Sequence, residues 1–409
     1  MTGRCKTCIA ALLQGKHLLA LVARNDAEYW NFIPRSYYLP PEKAGVTSEF
    51  ETFLQDYELS RSLALLQDQV LSAKAGTSRE YDEASLQLVL DGCKSLLPQA
   101  ACYSGGDSIL LQAVCILEAA HRDPLLQMGL LRKNWWLLKP VDGANGKGIH
   151  LLTDLHLGGS PSLPMAECRG RAAQGYIVQK YVERPHLLDP AQMGEASNAP
   201  SALYKYNLRI LAAIRWDEVP SIWVYEEGYI NLCAEPYAHS EAGAHISNLP
   251  GSSVYKRMWS TRMFSKYLAR SNADVWGDHV LPSIKKQISR IVSAASPLRG
   301  PKPSPERTRQ PWKRFGFDFM LDEDLHVWLI EANHRPGMSC PKGPAGEEKR
   351  SLLERFYADE RQLFGERLEE KRDDGIESIG QFRRVPVAVQ QKPSTSFACE
   401  MLGLCEVAA

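Results

Sequence analysis

The sequence predicts an α+β protein, and three features of its texture carry that expectation. After Arg132 the chain breaks into short runs rich in β-branched and aromatic residues (NWWLLKP, YIVQKYV, LRILAAIR, SIWVYEEGYINL, RFGFDFML and HVWLIEAN), divided by turns. Few long helical patterns interrupt that region. The 409 residues, 44% hydrophobic and 23% charged, suffice for two or three domains with a substantial core.

In chain order, residues 1–125 mix helix and turn signals. WNFIPRSYYLP, from Trp30, is aromatic and bounded by proline, which favours an extended segment. Apolar residues recur at three- and four-residue spacing from Phe50 to Ser72 and from Tyr81 to Leu97, which predicts two amphipathic helices. The strand-like runs then follow, with a loop expected over Asp189–Ser201. A helix is expected over Ile284–Ala294, ahead of the loop PLRGPKPSPERTRQP. After Gly346, EEKRSLLERFYADERQLFGERLEEKRDD predicts a long charged helix with Leu and Phe on one stripe, either a separate targeting helix or one packed on the body. Beyond Gly375 the pattern fades. The expected divisions are an N-terminal domain (1–125), a central segment (126–200), a segment ending in a polar hairpin (201–345) and a helical, partly disordered tail (346–409).

Lys plus Arg and Asp plus Glu each total 48, so net charge argues against nucleic acid as a partner and leaves electrostatic steering to local patches. Ten dispersed cysteines fit a reducing cytosol. Cys5 and Cys8 form a single CxxC pair without a second pair or His pair at zinc spacing, so metal binding and chance proximity both stay open there. No apolar run reaches the roughly 18 residues a membrane span needs, and no signal peptide is evident, so a soluble cytosolic protein without a membrane partner is expected.

Four polar features need an explanation. KPVDGANGKGIHLL places Gly143, Gly146 and Gly148, with Lys139 and Lys147, between two apolar runs. A helix does not follow, as a dinucleotide fold requires, nor does Ser or Thr follow Gly-Lys, as a Walker loop requires. A glycine hairpin that lays backbone N–H groups on phosphates and a plain turn with a solvated lysine both fit. YIVQKYVERP runs an apolar strand into Gln179, Lys180, Tyr181 and Val182, which could face a purine or form an ordinary strand. In KYNLRILAAIR, Lys205, Asn207 and Arg209 share one face of a strand, which is costly unless an anion lies opposite or the edge is solvated.

The fourth is GFDFMLDEDLHVWLIEANHRPG. A turn centred between Asp324 and Leu325 sets Asp318 opposite Glu331, while Glu331 and Asn333 share a face. Two carboxylates brought together without a cation would force one to stay protonated. Magnesium relieves the conflict with carboxylate and amide oxygens; basic partners from elsewhere would relieve it too. Asp322, Glu323 and Asp324 read as dispensable turn residues. The four features together describe a device for a nucleoside triphosphate and magnesium.

WWLLKPVDGANGKGI, YIVQKYVERPHLL, YKYNLRI, VYEEGYINLCAEPY, HISN and GFDFMLDEDLHVWLIEAN occur in the order of the tubulin tyrosine ligase-like family, which the chain resembles over about residues 130–340, with PRSYYLP extending it weakly towards the N-terminus. The resemblance implies an ATP-grasp fold with an N-terminal α/β domain and a C-terminal helical extension. It also implies ATP and Mg2+ as cofactors, and addition of an amino acid (Glu, Gly or Tyr) to tubulin. Lys139 resembles the strand lysine that meets ATP phosphates, and Gly146, Lys147 and Gly148 the glycine loop. Gln179, Lys180, Tyr181 and Val182 resemble the adenine-binding segment, Lys205, Asn207 and Arg209 the KxDLR motif, and His245 and Asn248 the HLTN segment. Asp318, Glu331 and Asn333 match the magnesium ligands, and Arg209, Lys139 and Glu331 are the expected catalytic residues. Asn145 stands where the family usually has Arg, and Asn207 where it has Asp. Glu226 stands where the tyrosine ligase itself has a basic residue. Trp259, in KRMWS, resembles a Trp-Ser segment of several glycylases and glutamylases.

The implied reaction is ATP-dependent carboxylate–amine ligation through an acylphosphate, in the cytoplasm on the cytoskeleton, with a cilium or flagellum as further settings. Tubulin or microtubules and a free amino acid are the expected partners. Lys256, Arg257, Arg262, Lys266 and Arg270 could supply a basic face for acidic tails, or be a solvated helix face. Two other classes remain at this stage, a small-molecule ATP-grasp ligase and a catalytically silent microtubule-binding relative.

Overall fold

The computed structural model describes residues 19–20, 22–23, 27–39, 48–77, 83–97, 108–141, 143, 146–153, 175–193, 201–216, 219–237, 242–246, 258–271, 273–295, 312–334, 336–340, 343–365 and 375–388. Cys5, Cys8, Asn145, Asn248, Lys256, Arg257 and the loop over 297–311 lie outside them. The chain forms two compact units: residues 26–144 with 148–185, and residues 1–25, 145–147 and 186–409. Helices and two antiparallel sheets make the described part α+β.

The smaller unit holds β1 (Ser36–Leu39), helices α1 (Ser48–Lys74), α2 (Glu83–Leu96) and α3 (Ile109–Arg122), then β2 (Trp136–Pro140), β3 (His150–Leu152) and β4 (Tyr176–Lys180). The sheet order is β1-β4-β2-β3. The aromatic stretch becomes a strand only from Ser36, with Trp30 and Asn31 ending a short 3-10 helix, and the two expected helices form over Ser48–Lys74 and Glu83–Leu96; α3 was not singled out by its sequence. Ser108 caps α3 by accepting from the Leu111 N–H at 3.3 Å. Helix α1 serves two cores. Its first half sets Phe50, Phe53 and Tyr57 against Tyr37, Trp136, Leu138 and Val178 of the sheet. Its second half sets Leu63, Leu66 and Val70 against Leu90 and Cys93 of α2 and Ile116 and Leu117 of α3. Each such buried side chain is worth about 1.5–3 kcal/mol, so the helix holds the sheet from one face and leaves the other for polar groups.

The larger unit is built on β5 (Tyr206–Arg215) and β6 (Ser221–Leu232). It continues through α4 (Ala242–His245), β7 (Met258–Ser260), α5 (Thr261–Leu268) and α6 (Leu281–Ala295) to the hairpin β8 (Lys313–Leu321) and β9 (Val327–Asn333). Helix α7 (Pro344–Phe364) and strands β10 (Ser378–Ile379) and β11 (Phe382–Val385) close it. The sheet runs β10-β11-β6-β5-β8-β9, and β7 pairs with β6 beyond the end of β11. Alternation along β6 assigns the two faces. Tyr225 packs with Phe356 of α7, whereas its neighbour Glu226 pairs with Lys285 of α6 at 2.5 Å. Helix α7 therefore lies on one face through Leu352, Leu353, Phe356 and Leu363, and α6 on the other. Of the two readings of the charged C-terminal helix, packing on the body is the one observed. The residues after Gly375, where the sequence pattern fades, supply the strands that extend the sheet past β6.

The β8–β9 turn corrects one expectation. Asp322 is buried, and its carboxylate accepts from the Asp324 and His326 N–H groups at 3.1 and 2.9 Å and from Trp328 Nε1 at 2.8 Å. It is the staple of a tight turn whose Leu325 has φ of 63°. Asp322→Ala should cost about 1–3 kcal/mol by orphaning these donors, read as a fall in the thermal midpoint, whereas Glu323→Ala, on an exposed side chain, should leave it unchanged.

Candidate functional site

The larger unit gathers its polar residues through sheet register. Ser260 of β7 pairs with Tyr229 of β6, Tyr229 with Arg209 of β5, Arg209 with Asp318 of β8, and Asp318 with Glu331 of β9. Residues directly opposite in antiparallel strands point to the same face, so five strands present one transverse row. A second row runs beside it, with Met258 opposite Asn231 and Asn231 opposite Asn207; Asn333 lies opposite Gly316. This is the face that α7 covers further along the strands. The strip of cation and amide on β5 meets its anion here.

Arg209 and Asp318 form a two-pronged pair. Arg209 Nε donates to Oδ1 of Asp318 and Nη2 donates to Oδ2 at 2.6 Å. Asn207 Nδ2 reaches Oδ1 and Asn333 Nδ2 reaches Oδ2, each at 3.3 Å, and Asn231 Nδ2 donates to Asn207 Oδ1 at 3.2 Å. Asn207, which stands where an acid was expected, is thus a donor to Asp318. Burial alone would lower the Arg209 pKa, but the charge and hydrogen bonds of Asp318 raise it above the usual arginine value. Gly316 makes this possible: a Cβ there would come within 3.0 Å of Arg209 Cδ and 2.7 Å of Pro336 Cβ.

Tyr229 and Lys349 complete the group, and neither was singled out by sequence. Tyr229 is buried and within hydrogen-bonding reach of Arg209; desolvation raises its pKa, and the Arg209 charge opposes that. Lys349, on α7, is 7% exposed and stands over the Tyr229 ring, with Nζ 4.4 Å from its centroid. Burial first, and then the charge of Arg209, depress its pKa to about 8, with Cys340 opposing them. The alternation of Glu227, Tyr229 and Asn231 along an apolar strand could have signalled β6, as Lys205, Asn207 and Arg209 signalled β5. Nothing in the helical pattern distinguished Lys349.

Glu226 does not share this face. It pairs with Lys285 of α6 and at 3.3 Å with Arg383 of β11, while its neighbour Glu227, with Tyr229, faces α7 and is held by Arg355 at 2.7 Å and by Arg262. The acid in place of a basic residue is therefore a structural ion pair on the far side of the sheet. Arg262, from the expected basic face, bridges α5 to β6. Lys205 is buried just before β5, and its charge opposes the desolvation that lifts the Cys233 thiol to about 12. His245 is buried in α4, with its ring edge-on to Tyr237 at 5.5 Å. Trp259 is buried on β7 against Tyr267, as a core residue.

In the smaller unit the same alternation separates two lysines. Lys139 Nζ donates to Gln179 Oε1 at 2.5 Å, and Gln179 Nε2 donates to Ser36 Oγ at 3.0 Å, all on the face away from α1. Lys180 points to the α1 side, over Trp136, and its ammonium pairs with Glu183 and donates to the Trp135 carbonyl at 2.9 Å. Burial lowers the Lys180 pKa despite that partner. Glu183 also accepts backbone N–H groups from Arg132, Lys133 and Trp135, so the side chain of Lys180 belongs to a buried anchor. The Lys180 and Tyr181 N–H groups are taken by the Arg35 and Trp135 carbonyls, and Tyr181 and Val182 are buried. Gly146 and Gly148 both have φ of 72°, a left-handed conformation that favours glycine, and Lys147 between them is exposed.

The donor set of the hairpin is two carboxylates, Asp318 and Glu331, and one amide, Asn333. Among the described residues no three His, Cys, Asp or Glu side chains cluster as a metal site would. Hard oxygens of this kind nevertheless suit magnesium, which takes few protein ligands and keeps phosphates and waters. Asn333 turns its Nδ2 to Asp318, which leaves its carbonyl oxygen as the atom of that side chain able to meet a cation. Glu331 and the Asn333 oxygen suit the ion as they stand, while both oxygens of Asp318 are engaged by Arg209, Asn207 and Asn333, so Asp318 would join it by exchanging one of those hydrogen bonds.

A model of the tubulin-tyrosine ligase family matches residues 110–356, more than half of the chain. The chain is 26% identical over 224 residues to tubulin glycylase 3A of Drosophila melanogaster, covering 51% of this chain and 20% of that protein. It is 27% identical over 261 residues to the probable tubulin polyglutamylase TTLL2 of Mus musculus (59% and 41%), and 26% identical over 229 residues to the tubulin monoglycylase TTLL3 of Danio rerio (51% and 26%). The chain thus spans less than half the length of these curated relatives. Among the described residues no helix is long and apolar enough to cross a membrane.

Proposed function

The chain belongs to the tubulin-tyrosine ligase family, and from that membership we propose that it is an ATP-dependent carboxylate–amine ligase that adds an amino acid to tubulin. Glycine and glutamate are the favoured amino acids, since the similar proteins are named as glycylases and polyglutamylases; tyrosine is the third candidate. The observation that carries the reading is the transverse row of Tyr229, Arg209, Asp318 and Glu331, with Asn333 beside it, inside the matched stretch. An apolar sheet has no structural need for two acids and two amides around one arginine.

On this reading the chain has an ATP-grasp fold with an N-terminal α/β domain and a C-terminal helical extension, ATP and Mg2+ as cofactors, and the cytoskeleton as its workplace. Asp318, Glu331 and Asn333 would hold magnesium, which when bound supplies positive charge to the phosphate oxygens. Lys139, Gly146, Lys147 and Gly148 would bind phosphate, and the Gln179–Val182 segment would read the base through backbone groups other than the Lys180 and Tyr181 N–H. Lys205, Asn207, His245 and Asn248 complete the proposed nucleotide contacts.

An oxygen of the acceptor carboxylate attacks the γ-phosphorus of ATP, and the bond to ADP breaks. The amine of the incoming amino acid then attacks the acyl carbon, and phosphate leaves with that carboxylate oxygen while a proton is released. Little covalent chemistry falls to the protein, so positioning and charge neutralisation dominate. Arg209, held by Asp318, is the fixed cation for the acylphosphate.

Incubation of the full chain with tubulin, MgATP and radiolabelled glycine, glutamate or tyrosine should give ATP-dependent label on tubulin with one of the three. MgATP binding without labelling would point instead to a small-molecule ligase. The absence of MgATP binding by calorimetry would leave only a binding protein.

A further inference from the structure

Beside the Arg209–Asp318 pair, Lys349 is a second cation with no carboxylate of its own among the described residues. It is buried to more than nine-tenths. The groups around it are the Tyr229 ring under its Nζ, Arg209 and Cys340. Its helix neighbour Glu348 turns elsewhere, accepting from the Ser260 N–H at 3.1 Å, and Glu227 is held by Arg262 and Arg355. Among the described residues no acid pairs with Lys349. Asp318 is engaged by Arg209, which also leans on the Tyr229 hydroxyl. A buried ammonium next to a like charge is costly, and an anion arriving from outside would relieve it. The face of Tyr229 is a weak substitute for that anion.

We propose that Lys349 is a substrate-binding residue that, beside Arg209, holds a carboxylate of one of the two substrates of the ligase reaction. The inference rests on the ligase reading above. Two sources supply the chemistry: the α-carboxylate that glycine, glutamate and tyrosine share, and the carboxylate of the acceptor chain. The lysines proposed for the ATP phosphates are Lys139 and Lys147, so the ligand proposed for Lys349 is a carboxylate and not MgATP. The depressed pKa of about 8 agrees with a cation awaiting its partner, and a bound carboxylate would raise it.

Lys349→Met keeps the apolar stem and removes the charge; Lys349→Arg keeps a charge. In steady-state assays Lys349→Met should raise the KM for one carboxylate substrate about 10- to 100-fold, the range of a lost charge-assisted hydrogen bond, with the KM for MgATP unchanged. Lys349→Arg should recover most of it. A rise for the amino acid assigns the carboxylate to the donor, and a rise for tubulin assigns it to the acceptor. Unchanged KM values for both, or a change confined to MgATP, would overturn the proposal.

A readout independent of turnover is competitive acetylation of Lys349 in the full wild-type chain, with free glycine, free glutamate or a glutamate-rich peptide as probe. The ligand carboxylate should protect Lys349 and move its titration upward by about one unit, a tenfold preference for the charged form. Protection in a chain that labels no tubulin would refute the ligase reading and leave the carboxylate site standing. Ligation with Lys349 equally reactive throughout would refute the site alone.

Discussion

Glu331→Gln should lower amino-acid ligation about 10²- to 10³-fold, the usual cost of removing one electrostatic contact to the transition state. The substitution keeps the size and shape of the side chain and removes its charge. Glu331 is half-buried at the end of β9, and its strand is anchored by Val327, Leu329 and Ala332. The thermal midpoint should therefore stay within about a degree of wild type, a surface-type effect. The loss should appear in kcat more than in the KM for the amino acid, because in the proposed reaction the charge would act on the phosphoryl group as it transfers. Ligation at the wild-type rate would remove Glu331 from the chemistry.

Arg209→Met should have the second large effect, and on two scales. Asp318 is 5% exposed at its side chain, and Arg209 supplies both of its strongest hydrogen bonds. Removing the guanidinium leaves a buried carboxylate whose remaining hydrogen bonds among the described residues are two amides at 3.3 Å. Breaking one partner of a buried pair costs about 3–5 kcal/mol, which should depress the calorimetric midpoint of the variant. Activity should be lost as well, since the fixed cation is gone. The double variant Arg209→Met/Asp318→Leu separates the two scales: it should regain much of the lost stability, because no unpaired charge remains, while staying inactive. Unaltered stability in the single variant would mean that the pair contributes nothing to the fold.

Which parts of this arrangement could be read from the chain follows from the range of each interaction. The β8–β9 hairpin was legible because its partners are close in sequence, but its turn centres on Asp324, one half-step earlier than expected: Leu321 pairs with Val327 and Phe319 with Leu329, and an irregularity between Asp318 and Phe319 is what brings Glu331 opposite Asp318. That Asp318 also faces Arg209 was not, because β5 and β8 are separated by 109 positions at that contact. The cationic strip on β5 announced that an anion was needed without saying which one. Strand alternation could have warned that Gln179 and Lys180 cannot both face a ligand; the buried acid that captures Lys180 lies only three residues on. At Glu226 and Glu227 the same alternation decides which acid meets α6 and which meets α7. Reading it required knowing that helices cover both faces. Asp322 looked like ordinary turn chemistry because acids are common in turns, yet Trp328 sits where its indole needs an acceptor. Lys349 lies on a helix whose apolar stripe predicts packing well but says nothing about a cation at its edge.

If this sheet supports activation of a carboxylate by ATP, the path of one oxygen will record it. A tubulin-tail peptide carrying 18O in its glutamate and C-terminal carboxyl groups would be incubated with the full chain, MgATP and the amino acid that labels tubulin. One 18O should appear in the released phosphate for each bond formed, because the acceptor oxygen leaves with phosphorus. Bond formation with phosphate free of 18O would contradict it.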